Sequence, residues 1–398
     1  MPFFNLDAVR QLMDQVEAAS QTQEAVRRKN LSQPTAKFNI ETPLAEVKMF
    51  GWDVTRLFSD PVYYVECILR RKLWRWENFP DDDESISMDL DAWLSHYPEY
   101  SFLGMQVTFD KLGIPQIDSN LPIKTDPDVR HLKPVDFHSS GWMPRILRWY
   151  DDLKEITGGR MRVNWLMNWW RGCLDLAIEL RGFDQFIDDT SQRPEFVDDL
   201  MKFLVEQRCR WWEGYYQHFG LPKTPTDIGD DWINVPFISP RIFARFVLPR
   251  YLELEAFHGG IHSIHSCGNQ TPVQRYLLEL KTLDNYEVSP WTDLDQTVKN
   301  LPPTKHLMVG LHPNDVVAAS PQEMQARLEK IAATLTGWSY DVGTSGLTPI
   351  TPDLRDMIRQ IRNWTAIARQ VFEPVRANRL LATDPASMQS GGTRDPHP

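Results

Sequence analysis

Hydrophobic positions along the chain follow two alternating rhythms. Short runs with period two, "FLGMQVTF", "RMRVNWLMN", "TDIGDDW", "GIHSIHSCG", "LDNYEVSP", "HLMVGLHP" and "GWSYDVG", predict strands. Between them, apolar residues recur every three or four positions, which predicts helices. Pro194 to Phe219 carries Phe196, Leu200, Phe203, Leu204 and Trp211 on one stripe, with proline in the first turn. Ser239 to Phe257 opens "SP" with Ser239 as N-cap, Ser320 to Leu335 opens "SPQE" as a capping box, and Thr351 to Val371 opens "TPD". Strand, short loop and capped helix in repetition is the mark of parallel βαβ units. Their number predicts an α/β fold, a closed (β/α)8 TIM barrel in preference to an open sheet.

The ends of the chain read differently. Leu6 to Arg28 is a polar helix with Leu6, Val9, Leu12, Met13 and Val16 on one side, and "RRKNLSQPTAKFN" breaks it. The acidic "PDDDES" at Pro80 to Ser85 reads as a solvated loop. The closing "ATDPASMQSGGTRDPHP" is rich in Gly, Pro and Ser and lacks periodicity, which predicts a disordered tail. The expected division is therefore an N-terminal helical extension packing on the barrel over 1–94, the barrel over 95–375 and the tail over 376–398.

Composition narrows the class of protein. The 398 residues are 42% hydrophobic and 24% charged, a globular profile. A formal charge of −11 argues against nucleic acid or a polybasic membrane surface as partner. No apolar run approaches the roughly 20 residues that span a bilayer. Cys67, Cys173, Cys209 and Cys267 are scattered without a disulfide framework, which predicts a reduced, cytoplasmic protein. Fifteen tryptophans, concentrated in "WENF", "WLMNWWRGC" and "CRWWEGYY", supply core and interface packing or the wall of a pocket for a flat ligand. Together with the large apolar helices they would suit a homodimer.

Barrels of this kind place their chemistry at the C-terminal ends of the strands. Those ends hold Asp230 and Asp231, His265 and Cys267, Glu287, His312 and Asp341. Alternation puts Ile261, Ser263, His265 and Cys267 on one side, and His262 on the other, against the helices. An imidazole and a thiolate two residues apart can both reach one zinc ion; the alternative is a free thiol beside a hydrogen-bonded histidine. A catalytic zinc also needs a third protein ligand, for which Asp230, Asp231, Glu287 and His312 are the candidates. In "DIGDDW" one carboxylate is expected to serve as ligand or general acid and the other to cap the next segment, and alternation does not say which is which.

The stretches "RGFDQFIDDTSQRPEFVDDLMKFLVE", "ISPRIFARFVLPRY", "IHSCGNQTP", "MVGLHPNDVV" and "GTSGLTPITPDLRDMIRQIR" resemble, in order and spacing, the uroporphyrinogen decarboxylase superfamily, most closely its branch of corrinoid-dependent methyltransferases. The resemblance implies a (β/α)8 barrel. In that branch a His-x-Cys pair and a later cysteine bind zinc. His265 and Cys267 match the pair, but the later cysteine would fall near Ser345, and no cysteine follows Cys267. His312 in "GLHP" stands where the branch commonly has an acidic residue. The implied activity is zinc-assisted demethylation of a small molecule, such as a methoxylated aromatic, with the methyl group passed to the corrinoid of a partner protein. Zinc would be held by His265, Cys267 and one of His312, Asp231 or Glu287, with Asp230 or Tyr340 as general acid. A decarboxylase or other lyase acting on a small aromatic or carboxylate substrate is the alternative, as is a barrel retained to bind a ligand. The arginine-rich porphyrin grip of true uroporphyrinogen decarboxylases has no counterpart, since "RRKLWRW" does not match it.

Overall fold

The computed structural model describes residues 6–94, 98–109, 115–117, 122–123 and 128–383. Ten strands follow in chain order: β1 (Ala36–Lys37), β2 (Asp89–Ala92), β3 (Val107–Phe109), β4 (Pro115–Ile117), β5 (Arg162–Trp165), β6 (Thr226–Gly229), β7 (Ile261–His265), β8 (Asn285–Val288), β9 (His306–Leu311) and β10 (Ser339–Thr344). Six of them form one sheet in the order β1-β10-β9-β8-β7-β6, with every pairing parallel. β2 and β5 pair in parallel with each other, and a lone parallel bridge from Arg171 to Gly229 ties the segment after β5 to the end of β6. The fold is thus α/β with a mostly parallel sheet. Among the described residues, hydrogen bonds do not close the strands into the expected ring.

Each of the seven expected strand regions contains a strand, but "FLGMQVTF" contributes β3 to an antiparallel hairpin with β4, outside the parallel sheet. Two parallel strands instead arise within the expected helical extension. β1 is two residues long, too short to show alternation, and its neighbours fix it. Asp341 of β10 accepts hydrogen bonds from the backbone N–H and the hydroxyl of Thr35, each at 2.7 Å, and Asp83 accepts from the N–H of Ala36 at 2.7 Å. The acidic loop expected to be solvated is therefore part of the interior. Asp82 and Asp83 are 1% and 4% exposed, because Arg75 pairs with the first at 2.6 Å and Arg376 reaches the second from the last helix. That helix, Leu354–Thr383, runs past the expected barrel end at 375, and the remainder of the expected tail lies outside the described residues.

The N-terminal helix is broken in two, Leu6–Ser20 and Gln23–Lys29, with Thr22 capping the second. The helix over Pro194–Phe219 has the expected limits, and Ser320 forms the capping box with Glu323 at the start of Pro321–Thr334. Ser239 caps the next helical stretch, which continues through a π-turn at Phe243–Val247 to His258. No helix of the described residues is long and apolar enough to cross a membrane.

Alternation along β9 and β10 organises the interior. Leu307, Val309, Leu311, Tyr340 and Val342 are buried on the face covered by helices, while His306, Met308, Ser339 and Asp341 are half-buried on the other. Asp227, Ser263, Asn285, Glu287 and Lys37 extend that second face across the sheet, and it lines a cavity of about 1630 Å³. His262 departs from expectation: it is exposed instead of packed under helices. A register irregularity between Thr226 and Asp227 brings the Asp227 carboxylate to His262 at 3.2 Å, and Asn285 contacts the other ring nitrogen at 2.9 Å.

Candidate metal centre

His265 is the last residue of β7, and Cys267 follows two positions on, so both reach the cavity at the carboxyl end of the sheet. Gly268 lets the chain turn there, because a Cβ at that position would lie 2.2 Å from the Asn234 amide group. His265 Nε2 is 3.3 Å from Cys267 Sγ and 3.3 Å from Asp231 Oδ1. One ligand atom from each of Asp231, His265 and Cys267 lies within 4.8 Å of the others, the one such cluster among the described residues. Imidazole, thiolate and carboxylate together are a donor set that zinc accepts, with a fourth position left for another molecule.

The groups behind these three set their orientation. His265 Nδ1 donates to Glu287 Oε2 at 2.5 Å, which leaves Nε2 free to face Cys267 and Asp231. Glu287 is thus a partner of the histidine and not a member of the ligand cluster. Arg171 binds the other oxygen of Asp231 at 2.6 Å and Asp175 at 2.5 Å, so Asp231 Oδ1 is the oxygen turned toward His265 and the N–H of Cys267. The ring of Trp170 stacks on His265 with centroids 5.4 Å apart.

Protonation follows from these contacts. Burial disfavours the charged His265, yet Asp231, Cys267 and Glu287 outweigh it and raise the imidazole to about 12. Burial works against ionised Asp231, but His265 and Arg171 hold its carboxyl well below the usual range. For Cys267 the His265 contact lowers the thiol, while burial and the Asp231 carboxylate leave it above its ordinary value. Without a metal the cluster is a cation clasped by acids. A metal held here would require the imidazole to give up that proton and the thiol to ionise.

The remaining expected site residues lie elsewhere. Asp230 is fully buried and accepts from the N–H groups of Leu174 and Asp175 and from Tyr251. It anchors the first turn of the helix Cys173–Arg181 and does not line the cavity. Burial and then the nearby Asp175 carboxylate push its carboxyl up. The two adjacent aspartates are now told apart: Asp231 faces the site and Asp230 holds the scaffold. Tyr340, expected as a general acid, is fully buried on the helix side of β10, packed against Phe372 and beneath Arg379, since strand alternation gives the cavity face to its neighbour Asp341. His312 accepts from the N–H of Asn314 at 3.1 Å and packs edge-on against Trp291, outside the ligand cluster. Cys67, Cys173 and Cys209 are all helical. Sequence reasoning missed Arg171, Asp175 and Trp170. The only signal was an Arg and an Asp four apart in "WWRGCLD" beside paired tryptophans.

Five carboxylates line the cavity, Glu41, Glu99, Asp227, Glu287 and Asp341, against a single lysine, Lys37, which is held by Glu84 at 2.9 Å. Among solved structures, a methyltransferase from Methanosarcina mazei superposes with a TM-score of 0.62 at 14% identity, covering 88% of this chain and 97% of its own. No curated protein sequence matches the chain. The family model for uroporphyrinogen decarboxylase (URO-D) matches residues 98–340, more than half the chain, and includes β5 to β9 with the cluster at their carboxyl ends. The chain belongs to the uroporphyrinogen decarboxylase (URO-D) family.

Proposed function

We propose that this protein is a zinc-dependent methyltransferase that demethylates a small substrate, a methoxylated aromatic, and passes the methyl group to the corrinoid of a partner protein. The observation that carries the reading is the convergence of Asp231, His265 and Cys267 within 4.8 Å at one end of the cavity, with Glu287 orienting the imidazole. The methyltransferase neighbour shares the fold, and the family supplies enzymes. The reading takes the eight parallel strands β1, β2 and β5 to β10 as the staves of one (β/α)8 barrel. With all four cysteines free, it also places the enzyme in the reducing cytoplasm.

Bound to these three residues, zinc would supply Lewis-acid polarisation of the ether oxygen, making the phenolate a better leaving group. The protein's own groups do the rest. Arg171 holds Asp231 in place, Glu287 fixes the imidazole ring, and Trp170 walls the cavity beside the pair. In the transfer the bond from methyl carbon to oxygen would break, the partner's reduced corrinoid would accept the methyl group, and the oxygen would keep the electron pair and take a proton from water. The cavity's excess of carboxylates disfavours a polycarboxylate such as a porphyrinogen.

Elemental analysis of the intact protein and of Cys267→Ala, paired with a spectroscopic assay for methylcobalamin formed from reduced cobalamin and 2-methoxyphenol, tests the reading. Zinc in the intact protein, its loss in the variant and corrinoid-dependent demethylation are expected. A folded protein that takes up no zinc sinks the proposal, and release of carbon dioxide from an aromatic acid without a corrinoid would establish the lyase instead.

A further inference from the structure

The inner side of the parallel sheet does not carry the residues that fill a barrel. Such interiors are ordinarily packed by layers of valine, isoleucine and leucine. Here the strand register sets Asp227, Ser263, Asn285 and His306 level with one another. Above them Glu287, Met308 and Asp341 form a second level. The next inward positions on β9 and β10 are Gly310 and Gly343, paired side by side, and a Cβ at Gly343 would meet only the backbone oxygen of Lys37, at 3.8 Å. All of these residues line the cavity, so polar groups and glycines leave the middle hollow.

The lining continues past both ends of the strands. At the carboxyl end stand Cys267 and Trp291, which follow β7 and β8, and Trp291 is 54% exposed. At the amino end stand Leu221, Pro222 and Thr224, between the helix Pro194–Phe219 and β6. All three are exposed, Leu221 to 47%. Leu166 joins them at 51%, because Trp165 before it packs on Phe219, the last residue of that helix, with ring centroids 5.1 Å apart. Apolar side chains that line a cavity and still stand in water mark an opening, since a closed wall would have buried them.

We propose that the amino end is a second mouth of the cavity, through which small uncharged molecules reach the metal ligands while a protein partner covers the carboxyl end. Leu166, Leu221 and Pro222 give the rim an apolar surface, and the carboxylates of Asp227, Asp341 and Glu287 along the way repel anions. The need for two mouths rests on the proposed methyltransferase reading, in which the corrinoid partner docks over the metal ligands; the passage itself does not. With one mouth, the demethylated product would be trapped beneath the partner. With two, product and fresh substrate exchange without the partner leaving.

Cross-linking the folded, full-length protein tests the passage. Leu221→Cys and Trp291→Cys together place one thiol on each rim. A flexible, uncharged bismaleimide of about 25 Å is longer than six residues of strand at about 3.3 Å each, so it can thread the interior. A route over the flanking helices is longer by twice their diameter of roughly 10 Å. Digestion and mass spectrometry should find the two peptides joined within one chain. Thr224→Cys in place of Leu221→Cys should give the same result and keeps the test open if the first variant misfolds. A linker of equal length carrying sulfonates should join the pair about tenfold more slowly. Peptides that stay unjoined although a monofunctional maleimide labels both thiols overturn the second mouth, and equal rates for the two linkers overturn its preference for uncharged molecules. Because the readout needs neither zinc nor methyl transfer, joined peptides in a protein that shows neither would leave the passage standing and remove the methyltransferase reading.

Discussion

Nδ1 of His265 and Oε2 of Glu287 are 2.5 Å apart, a carboxylate set directly behind an imidazole whose other nitrogen faces a thiol and a second carboxylate. Such a partner fixes the tautomer and the ring plane of a metal-binding histidine. Glu287→Ala should therefore weaken zinc affinity about 10- to 100-fold while leaving the fold intact. Competition with a chromophoric chelator measures it; unchanged affinity would show that Glu287 has no part in metal binding.

Asp231 and His312 make opposite predictions. Asp231→Ala removes a group of the ligand cluster and should lower zinc occupancy at limiting metal, whereas His312→Ala only loosens a loop contact with Asn314 and Trp291 and should leave it unchanged. Elemental analysis of both variants decides between the two residues as third ligand.

Asp83 joins three distant parts of the chain: the N–H of Ala36 in β1, its own loop, and Arg376 in the last helix. Both charged partners are buried, so Asp83→Ala leaves a guanidinium without its counter-charge. A loss of about 3–5 kcal/mol is expected. Urea denaturation followed by circular dichroism would read it.

His258 is buried against Trp212 and Tyr216, and burial, reinforced by Arg208 and Lys223, lowers its imidazole to about 3. The unfolded chain binds a proton at this residue below its ordinary value of 6.5, and the folded chain does not until about 3. Stability contributed by the neutral ring is thus full above 6.5 and declines as pH falls through that window, at up to about 1.4 kcal/mol per pH unit. In His258→Gln the fall in melting temperature between pH 7 and 4 should be shallower than in the wild type. An identical slope would remove His258 as its source.

Gly229 ends β6 under Trp170, and a Cβ there would lie 2.2 Å from the indole ring. Gly229→Ala should push the ring off its stack on His265 at a cost of about 1–3 kcal/mol, the range for overpacking. Near-ultraviolet circular dichroism would report the displaced tryptophan, and a wild-type spectrum would show that the ring tolerates the methyl group.

Much of this arrangement was legible in the sequence because it depends on period. His265 and Cys267 meet as their spacing led one to expect, although β7 ends at His265 and buries Ile261 and Ile264 rather than alternate residues, and three-to-four-residue spacing marked the helix Pro194–Phe219 to its ends. What escaped has a common physical cause. β1 is held by the side chains of Asp83 and Asp341, both far away in sequence, and two residues carry no period. The burial of Asp82 and Asp83 depends on arginines that arrive from separate helices. Which of Asp230 and Asp231 faces the site is decided by the N–H groups of Leu174 and Asp175, which claim the first, and by Arg171, which claims the second. Tyr340 was misplaced for a simpler reason: its neighbour Asp341 already held the cavity face of the strand.

The face-by-face division of β9 and β10 has a consequence for how such a protein can change. Leu307, Val309, Tyr340 and Val342 bind the sheet to its helices, whereas of the residues on the hollow side only Asp341 has a holding role, tying the segment before β1 to the sheet through Thr35. Folding and ligand choice are therefore written on alternate letters of the same strands. A substitution at His306 or Met308 can redraw what the cavity admits while the packing that keeps the molecule together is left almost untouched.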